Sequence, residues 1–315
     1  MELSVLIISY NTRELTLRCL DTLYPAIKGM DAEVLVADND STDGSLEAIE
    51  RRHPWVKVLS RGENLGFAKA NNRLARHARG DYVLLLNPDT EVHKASIRHL
   101  VSFLKHREAR VGTAIVGGRT YFADGTLNRN SCHGRPTPWS LLCQGTGLSS
   151  LRRRSALFNP EGLGDWERDT VRQVDAITGC LLLLRRDAWE QLGGFDERFV
   201  MYGEDTDLCL RAMSELGVPS VVCPAATIVH HGGASEAVRA DKMVRLFKAK
   251  AQLIAKHWPE RTAGIGTRLL GAWAFTRMAA HGALRPLRPS SRPAFESWRE
   301  IWRRRAQYAL ASAAG

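Results

Sequence analysis

The 315-residue chain has no stretch of about eighteen uncharged apolar residues, so no membrane-spanning helix is expected. Its six cysteines (Cys19, Cys132, Cys143, Cys180, Cys209, Cys223) include no C-x-x-C, which argues against a zinc site. Four of them stand in apolar runs, where small core side chains are expected, and a reducing, cytoplasmic compartment fits. The opening Met1-Glu2-Leu3-Ser4 lacks a basic region, so no secretory leader is expected. The first strand–helix turn, Ser9-Tyr10-Asn11-Thr12, contains no glycine, and G-x-x-x-x-G-K-[ST] occurs nowhere. Those two absences weaken a dehydrogenase and a P-loop reading.

What is present is an ordinary globular composition, 44% hydrophobic and 25% charged, with an uneven net charge of +10. From Arg261 onward ten arginines face two acids, Glu296 and Glu300, so that segment carries +8 and the rest of the chain +2. The basic character therefore belongs to the tail. Nucleic acid, anionic lipid and solubility are its candidate explanations.

The stretch Asp81 to Glu91 organises the chain. Val83 to Leu86 is an unbroken apolar run, as for a strand buried on both faces of a parallel sheet. Asn87-Pro88 ends it, and Asp89 is presented at its carboxyl end, where open α/β sheets bind ligands. A carboxylate there suits a hard divalent cation holding phosphates; a plain turn is the structural alternative.

Strands are expected at Leu3–Ser9, Glu33–Ala37, Val56–Leu59 and Asp81–Leu86, with single helices between them. Thr12 is placed as the first N-cap. The alternation argues for βαβ units, and polar residues end three of the strands: Ser9 to Asn11, Asp38 to Asp40, and Asn87 to Asp89. A further strand is expected over Val111–Gly118, and a hairpin at Asp124-Gly125. Residues 128–172 read as a long loop, a substrate lid or a connector. Val174–Leu184 reads as a strand around Thr178-Gly179-Cys180, and Pro219–Cys223 and Ala226–Val229 as two short strands, the second ending at His230-His231.

The second chemical stretch is Phe195 to Asp207. Leu208, Ala212 and Leu216 recur at helical spacing, which puts Glu204, Asp205 and Asp207 in a first turn. The macrodipole favours acids there; a general base at a crevice is the functional reading. His230, at a strand end, could complete a metal shell.

Taken in order, these motifs resemble an inverting family 2 glycosyltransferase with the GT-A nucleotide-diphospho-sugar fold, closest to rhamnosyltransferase-like members. The carriers are Val5 to Asn11, Val36 to Gly44, Asn64 to Asn72, Leu86 to Thr90, Gly193 to Glu197, Gly203 to Leu208 and His230 to Gly233, within Leu3 to Ser235. The resemblance implies an α/β fold, a mostly parallel central sheet flanked by helices, over 1–235. A C-terminal helical, Arg-rich extension follows over 236–315. It implies that Ser9, Tyr10 and Asn11 border the nucleobase and that Asp38, with Asn39 beside it, accepts a hydrogen bond from the imide N–H of a uracil or thymine. Asn64, Gly66 and Asn71 would line the nucleoside and diphosphate pocket. Asn87, Pro88 and Asp89 would line the nucleotide-sugar site, with Mg²⁺ or Mn²⁺ on Asp89 and His230. Asp205 would be the catalytic base, with Glu204 the next candidate, and Thr178 and Gly179 would sit near sugar or acceptor. Asn87 stands where the family often has an aspartate, which leaves the metal to Asp89, His230, phosphates and water. Q-x-x-R-W, the signature of processive members, is absent, so single-sugar addition is expected.

The implied donor is dTDP-L-rhamnose, with a UDP-linked hexose or N-acetylhexosamine as the alternative, and the implied acceptor is a saccharide or lipid-linked saccharide. A catalytically silent sugar-nucleotide module and a nucleic-acid-binding protein are the competing classes; no nucleic-acid module supports the second, so no nucleic acid is expected. In the tail, a helix is expected over Ala237–His257. Ile265, Leu269 and Trp273 recur every four residues, and Phe295, Trp298 and Trp302 line one face of a further basic helix. That pattern suits either an anionic surface on the inner face of the cytoplasmic membrane or a core-packed appendage with arginines in water.

Overall fold

The computed structural model describes residues 1–60, 62–232 and 240–309. Gly233, the expected 235/236 boundary and the first three residues of the helix expected from Ala237 lie outside the described residues.

The chain opens as β1 (Leu3–Ser9), α1 (Arg13–Ile27), β2 (Ala32–Asp38), α2 (Ser45–Arg52), β3 (Lys57–Ser60), α3 (Gly66–Ala75) and β4 (Tyr82–Leu86). β1 lies between β2 and β4, all parallel, with β3 parallel beyond β2. β1 and β4 are buried along their whole length, which is why both read as apolar runs and not as alternating ones.

After β5 (Thr90–Val92), α4 (Ser96–Val111), β6 (Ile115–Tyr121) and β7 (Cys132–His133) come α5 (Pro138–Thr146) and α6 (Leu148–Leu151). Then follow β8 (Arg172–Val174), β9 (Ala176–Ile177), β10 (Leu181–Arg185), α7 (Arg186–Gln191), α8 (Glu204–Leu216) and β11 (Ser220–His230). The main sheet runs β3-β2-β1-β4-β10-β6-β11-β5, with β8 on β11. β6 and β11 are parallel, whereas β10 is antiparallel to both β4 and β6, and β5 is antiparallel to β11. β10 begins opposite the end of β4, with Leu181 paired to Leu86. The turn before β10 therefore stands at the same sheet end as Asn87–Asp89.

Four local expectations change. α4 continues through Val111 and stops at Gly112, whose φ of +99° suits glycine, so β6 starts four residues later than the strand expected from Val111. The run expected as one strand over Val174–Leu184 is three short pieces. The two strands expected over 219–229 are one, β11, with an irregularity between Cys223 and Thr227. Pro224, which has no N–H to give the ladder, falls inside it. Residues 128–172 are not a structureless loop. Thr137 caps α5 through the Ser140 N–H, Ser140 bonds back to the Thr137 N–H, and Pro138 takes the first helical position.

Contacts divide the chain into two compact units: residues 1–133, 167–200 and 204–234, and residues 134–166, 201–203 and 235–315. The first holds the sheet and its core. All six cysteines are free and buried. The second is helical, with α5 and α6 joined by α9 (Ala240–His257), α10 (Glu260–Leu284), α11 (Arg292–Arg303) and α12 (Ala306–Ala309). Its core gathers Val244, Phe247, Ala274, Trp298, Ile301 and Tyr308. Trp298 is 7% exposed, so the centre of the α11 aromatic stripe is turned inward and is not free to meet a membrane. In α10 the buried positions are Gly266, Leu270 and Ala274, while Ile265 is exposed. Lys250 bonds Glu161 at 2.6 Å and Gln144 at 3.2 Å, and Glu161 also accepts from Ser140, which ties α9 to the α5 region. Among the described residues no helix is long and apolar enough to cross a membrane.

Candidate active site

Three loops at the carboxyl ends of the parallel strands are joined by hydrogen bonds. Asn39 N–H donates to the Ser9 carbonyl at 2.8 Å. Asn11, at φ +50°, donates its N–H to Ser41 Oγ and accepts from Thr42 N–H at 2.8 Å. Arg13 N–H donates to Asp43 Oδ2, so Asp43 caps α1; the expected cap, Thr12, instead shares its hydroxyl with Ser9 and Thr16. Asn39 also accepts from Leu65 N–H and donates to the Gly66 carbonyl at 3.1 Å, while Asn64 accepts from Gly66 N–H. Gly66 has φ +72°, and a Cβ there would stand 3.3 Å from the Val200 carbonyl oxygen, so a side chain is disfavoured. Tyr10 is exposed at this corner. Asp38 is 2% exposed. Its Oδ2 accepts from Ser41 N–H, and its Oδ1 is buried with no partner among the described residues. Asn71 is buried, and its amide donates to the Phe67 carbonyl of its own helix.

A second corner forms where β4 ends. Asn87 and Thr90 close a turn through Thr90 Oγ1 to the Asn87 carbonyl at 2.7 Å, with Pro88 inside it. β11 returns beside β5 with His230 opposite Thr90. His230 Nε2 thereby meets Asp89 Oδ1 at 3.1 Å and Asn87 Nδ2 at 3.4 Å. His231 donates its N–H to the Asp89 carbonyl, and its ring pairs with Glu91. His230 is therefore the histidine that faces Asp89. A Cβ on Gly232 would lie 2.5 Å from Asp89 Oδ2, so only glycine leaves that oxygen its space. Burial disfavours charge on His230, but hydrogen bonds to Asp89 and the Cys180 thiol outweigh it and raise the imidazole to about 10.

The Thr178-Gly179-Cys180 turn links this corner to α8. Asn87 N–H donates to the Cys180 carbonyl at 3.3 Å, and Gly179 N–H donates to Asp205 Oδ2 at 3.1 Å. A Cβ on Gly179 would sit 3.1 Å from the Phe67 ring, so the turn packs closely on α3. Thr178 is tied back through its N–H and hydroxyl to the Ser131 carbonyl. Asp205 Oδ1 accepts from Thr206 N–H at 2.7 Å, and the Thr206 hydroxyl reaches His133 Nε2 at 3.3 Å. Glu204 is buried, with Oε2 unpartnered among the described residues. Burial, and then the charge of Asp205, push its carboxyl up to about 8. Asp207 is fully buried in a 2.7 Å pair with Arg211.

A divalent cation would fit the Asp89–His230 corner only with a neutral His230, so it would displace the proton that Asp89 helps hold on the imidazole. Among the described residues no group of three or more His, Cys, Asp or Glu could hold a metal, and at this corner they offer one carboxylate and one imidazole.

Two positioning residues were not singled out from the sequence. Asn72 accepts from Phe195 N–H and donates to the Phe195 carbonyl, both at 2.9 Å, and it also reaches Glu197. Arg211 donates to the Leu192 and Gly194 carbonyls at 2.7 Å. The Asp207/Arg211 spacing of four was the available signal for the second. Nothing in the spacing separates Asn72 from Asn71.

The profile of the family described as glycosyl transferase family 2 matches residues 4–160. The chain belongs to that family. A second profile, described as the N-terminal domain of galactosyltransferase, matches residues 169–231. The chain is 36% identical over 214 residues to an N-acetylglucosaminyl-diphospho-decaprenol L-rhamnosyltransferase of Mycobacterium tuberculosis, covering 63% of this chain and 66% of that protein. It is 32% identical over 245 residues to an O-antigen biosynthesis protein of Myxococcus xanthus, covering 75% of this chain but 18% of the relative. A mannosyltransferase from Pyrobaculum calidifontis, solved with GDP-Man and Mn²⁺, superposes with a TM-score of 0.57 at 20% identity, covering 99% of this chain and 86% of that one. That likeness shows the GT-A fold.

Proposed function

We propose that this family 2 member is an inverting, metal-dependent glycosyltransferase that adds one sugar, L-rhamnose from dTDP-L-rhamnose, to a saccharide or lipid-linked saccharide in cell-surface polysaccharide synthesis. The observation that carries this reading is the Thr178–Cys180 turn, which bonds Asp205 on one side and the Asp89–His230 corner on the other. A base and a phosphate-side cation site are thereby held on one rigid element. The donor sugar and the lipid-linked acceptor follow the mycobacterial relative, whose matched part is two thirds of its length.

The nucleobase would lie against the Ser9–Asn11 and Asp38–Asn39 corner. The unpartnered Asp38 Oδ1 suits the imide N–H of thymine or uracil. Asn39 and Asn64 hold the Gly66 turn, which would line the nucleoside and diphosphate. When bound, Mg²⁺ or Mn²⁺ on Asp89 and His230 would neutralise charge on the departing diphosphate. Asp205 takes the acceptor hydroxyl proton as that oxygen forms its bond to the anomeric carbon. The bond to the diphosphate breaks on the opposite face and the diphosphate keeps the electron pair, so one displacement inverts the centre. Gly179 N–H, bonded to Asp205 Oδ2, fixes the direction of the carboxylate.

A UDP-linked hexose or N-acetylhexosamine is the second reading, favoured by the same Asp38 acceptor, which does not distinguish uracil from thymine. Thermal melting with dTDP, UDP, GDP and CDP, each with and without Mn²⁺, decides between them. A metal-dependent shift largest with dTDP is the expected result. A larger shift with UDP replaces the sugar, and no shift with any nucleotide overturns the transferase reading.

A further inference from the structure

We infer that the surface formed by α5, α6 and the loop to Leu157 is the face that meets an anionic lipid surface, in place of the arginine-rich tail. Between His133 and Glu161 there is no acidic residue, and Arg152, Arg153 and Arg154 stand consecutively and exposed. Leu151 and Leu157 flank the triplet, 78% and 62% exposed, and Trp139 and Leu142 on α5 are 42% and 40% exposed.

This loop is built. Arg152 N–H donates to the Leu148 carbonyl at 2.8 Å, Ser155 N–H to the Arg152 carbonyl at 2.9 Å, and Asn159 Nδ2 to the Arg153 carbonyl at 2.8 Å. Trp139 Nε1 donates to the Leu157 carbonyl at 2.7 Å, and its ring lies 6.2 Å from that of Phe158. Leu142 is one turn along α5 from Trp139, on the same side. Arg277 reaches Ser150 Oγ at 2.8 Å, which anchors α6 to α10. Gly164, at φ +66°, lets the returning chain pass within 2.9 Å of the Ala156 nitrogen, measured from where its Cβ would be. A backbone held this firmly fixes Leu151 and Leu157 in water, beside three cations and a tryptophan whose indole N–H is already bonded.

Apolar side chains framing like charges match the two layers of an anionic bilayer surface: acyl boundary for leucine and tryptophan, headgroups for arginine. An acidic protein would satisfy the arginines but leave the leucines needing a complementary pocket. The tail is less suited, since Trp298 and Ile301 are turned into the helical core. This assignment is independent of the donor-site reading and extends the lipid-linked acceptor in it.

The test is co-sedimentation of the full chain with phosphatidylcholine vesicles containing or lacking phosphatidylglycerol. Binding only with phosphatidylglycerol is expected. Arg152→Gln/Arg153→Gln/Arg154→Gln should weaken it by about fivefold per arginine, of order a hundredfold in all. Leu151→Gln/Leu157→Gln, which keeps the charge, should weaken it by at least about tenfold. Arg303→Gln/Arg305→Gln, in the tail, should change it by severalfold less than the triple variant. Equal binding to both vesicle types overturns the proposal. So does full binding by the leucine variant, which would point to an acidic macromolecule, or equal losses in loop and tail variants, which would mean diffuse charge. Ligand-free thermal melting of each variant separates lost binding from lost folding, and the nucleotide melts report on the transferase reading separately.

Discussion

Asp207 and Arg211 meet at 2.7 Å inside the protein, whereas Asp89 and His230 meet at 3.1 Å at a sheet end. The first pair is almost wholly buried, and the guanidinium gives its other N–H groups to the Leu192 and Gly194 carbonyls. Those bonds fix the chain entering the Phe195–Glu197 segment that Asn72 holds from the other side. The second pair is partly open, and the Gly232 backbone leaves Asp89 Oδ2 its room. The difference teaches what each pair is for. A pair whose donors and acceptors are all matched internally is scaffold. One with room beside it can take a third charged party.

The comparison sharpens most at Asp205, which shares a helical turn with Asp207 but points its carboxylate at the Gly179 N–H. Asp205→Asn should lower turnover by about 10² to 10⁴ while nucleotide-dependent melting persists. Unchanged turnover would transfer the base role to Glu204. Next, Arg211→Ala should lower unfolding free energy by about 3–5 kcal/mol in urea, since it removes a buried partner of Asp207 and the donor to the Leu192 and Gly194 carbonyls. A loss below about 1 kcal/mol would mean that Asp207 finds water or another donor.

Asp89→Asn should cost ligand-free stability at neutral pH, because it removes the carboxylate that holds charge on His230, and should remove the metal-dependent part of the nucleotide shift. At a hundredfold excess over Kd that part is about 2.7 kcal/mol of stabilisation. An undiminished Mn²⁺-dependent shift would place the cation elsewhere.

A change spread over pH is expected from Glu204. Its carboxyl is raised to about 8 by burial and by Asp205, so the folded protein holds a proton that the unfolded chain releases near the ordinary glutamate value. The stabilising contribution is complete below that ordinary value and is lost as pH rises through the folded one. Unfolding free energy should therefore fall by about 1 kcal/mol per pH unit between the two, from this group alone. Glu204→Gln should flatten that slope in denaturant titrations across pH 5 to 9; an equal slope in both proteins would assign it to other groups.

Much of the catalytic unit was legible because its signals are local. β1 and β4 are buried on both faces and so are apolar throughout, and strand-ending polar clusters are visible as runs. The helical excursion was harder. α5 opens on Thr137-Pro138, a genuine start signal, but its apolar residues serve a core supplied by α9 and α10, more than a hundred residues away. The Trp298 stripe on α11 had a periodicity equally fitted to lipid and to core, and burial distinguished them. Asn71 and Asn72 are adjacent and identical in kind; only the position of Phe195 made one a helix-internal bond and the other a clamp.

By itself, the sequence determined the βαβ order, the polar strand ends and the acids in the first turn of α8, because apolar period, turn chemistry and charge act over a few residues. Tertiary structure alone decided which groups meet. The antiparallel return of β10 put Thr178–Cys180 beside Asn87, and the return of β11 put His230, not His231, on Asp89. Strand direction and register are set by long-range pairing, which shifts a side chain from one face to the other with each residue of slip and leaves no mark in local spacing.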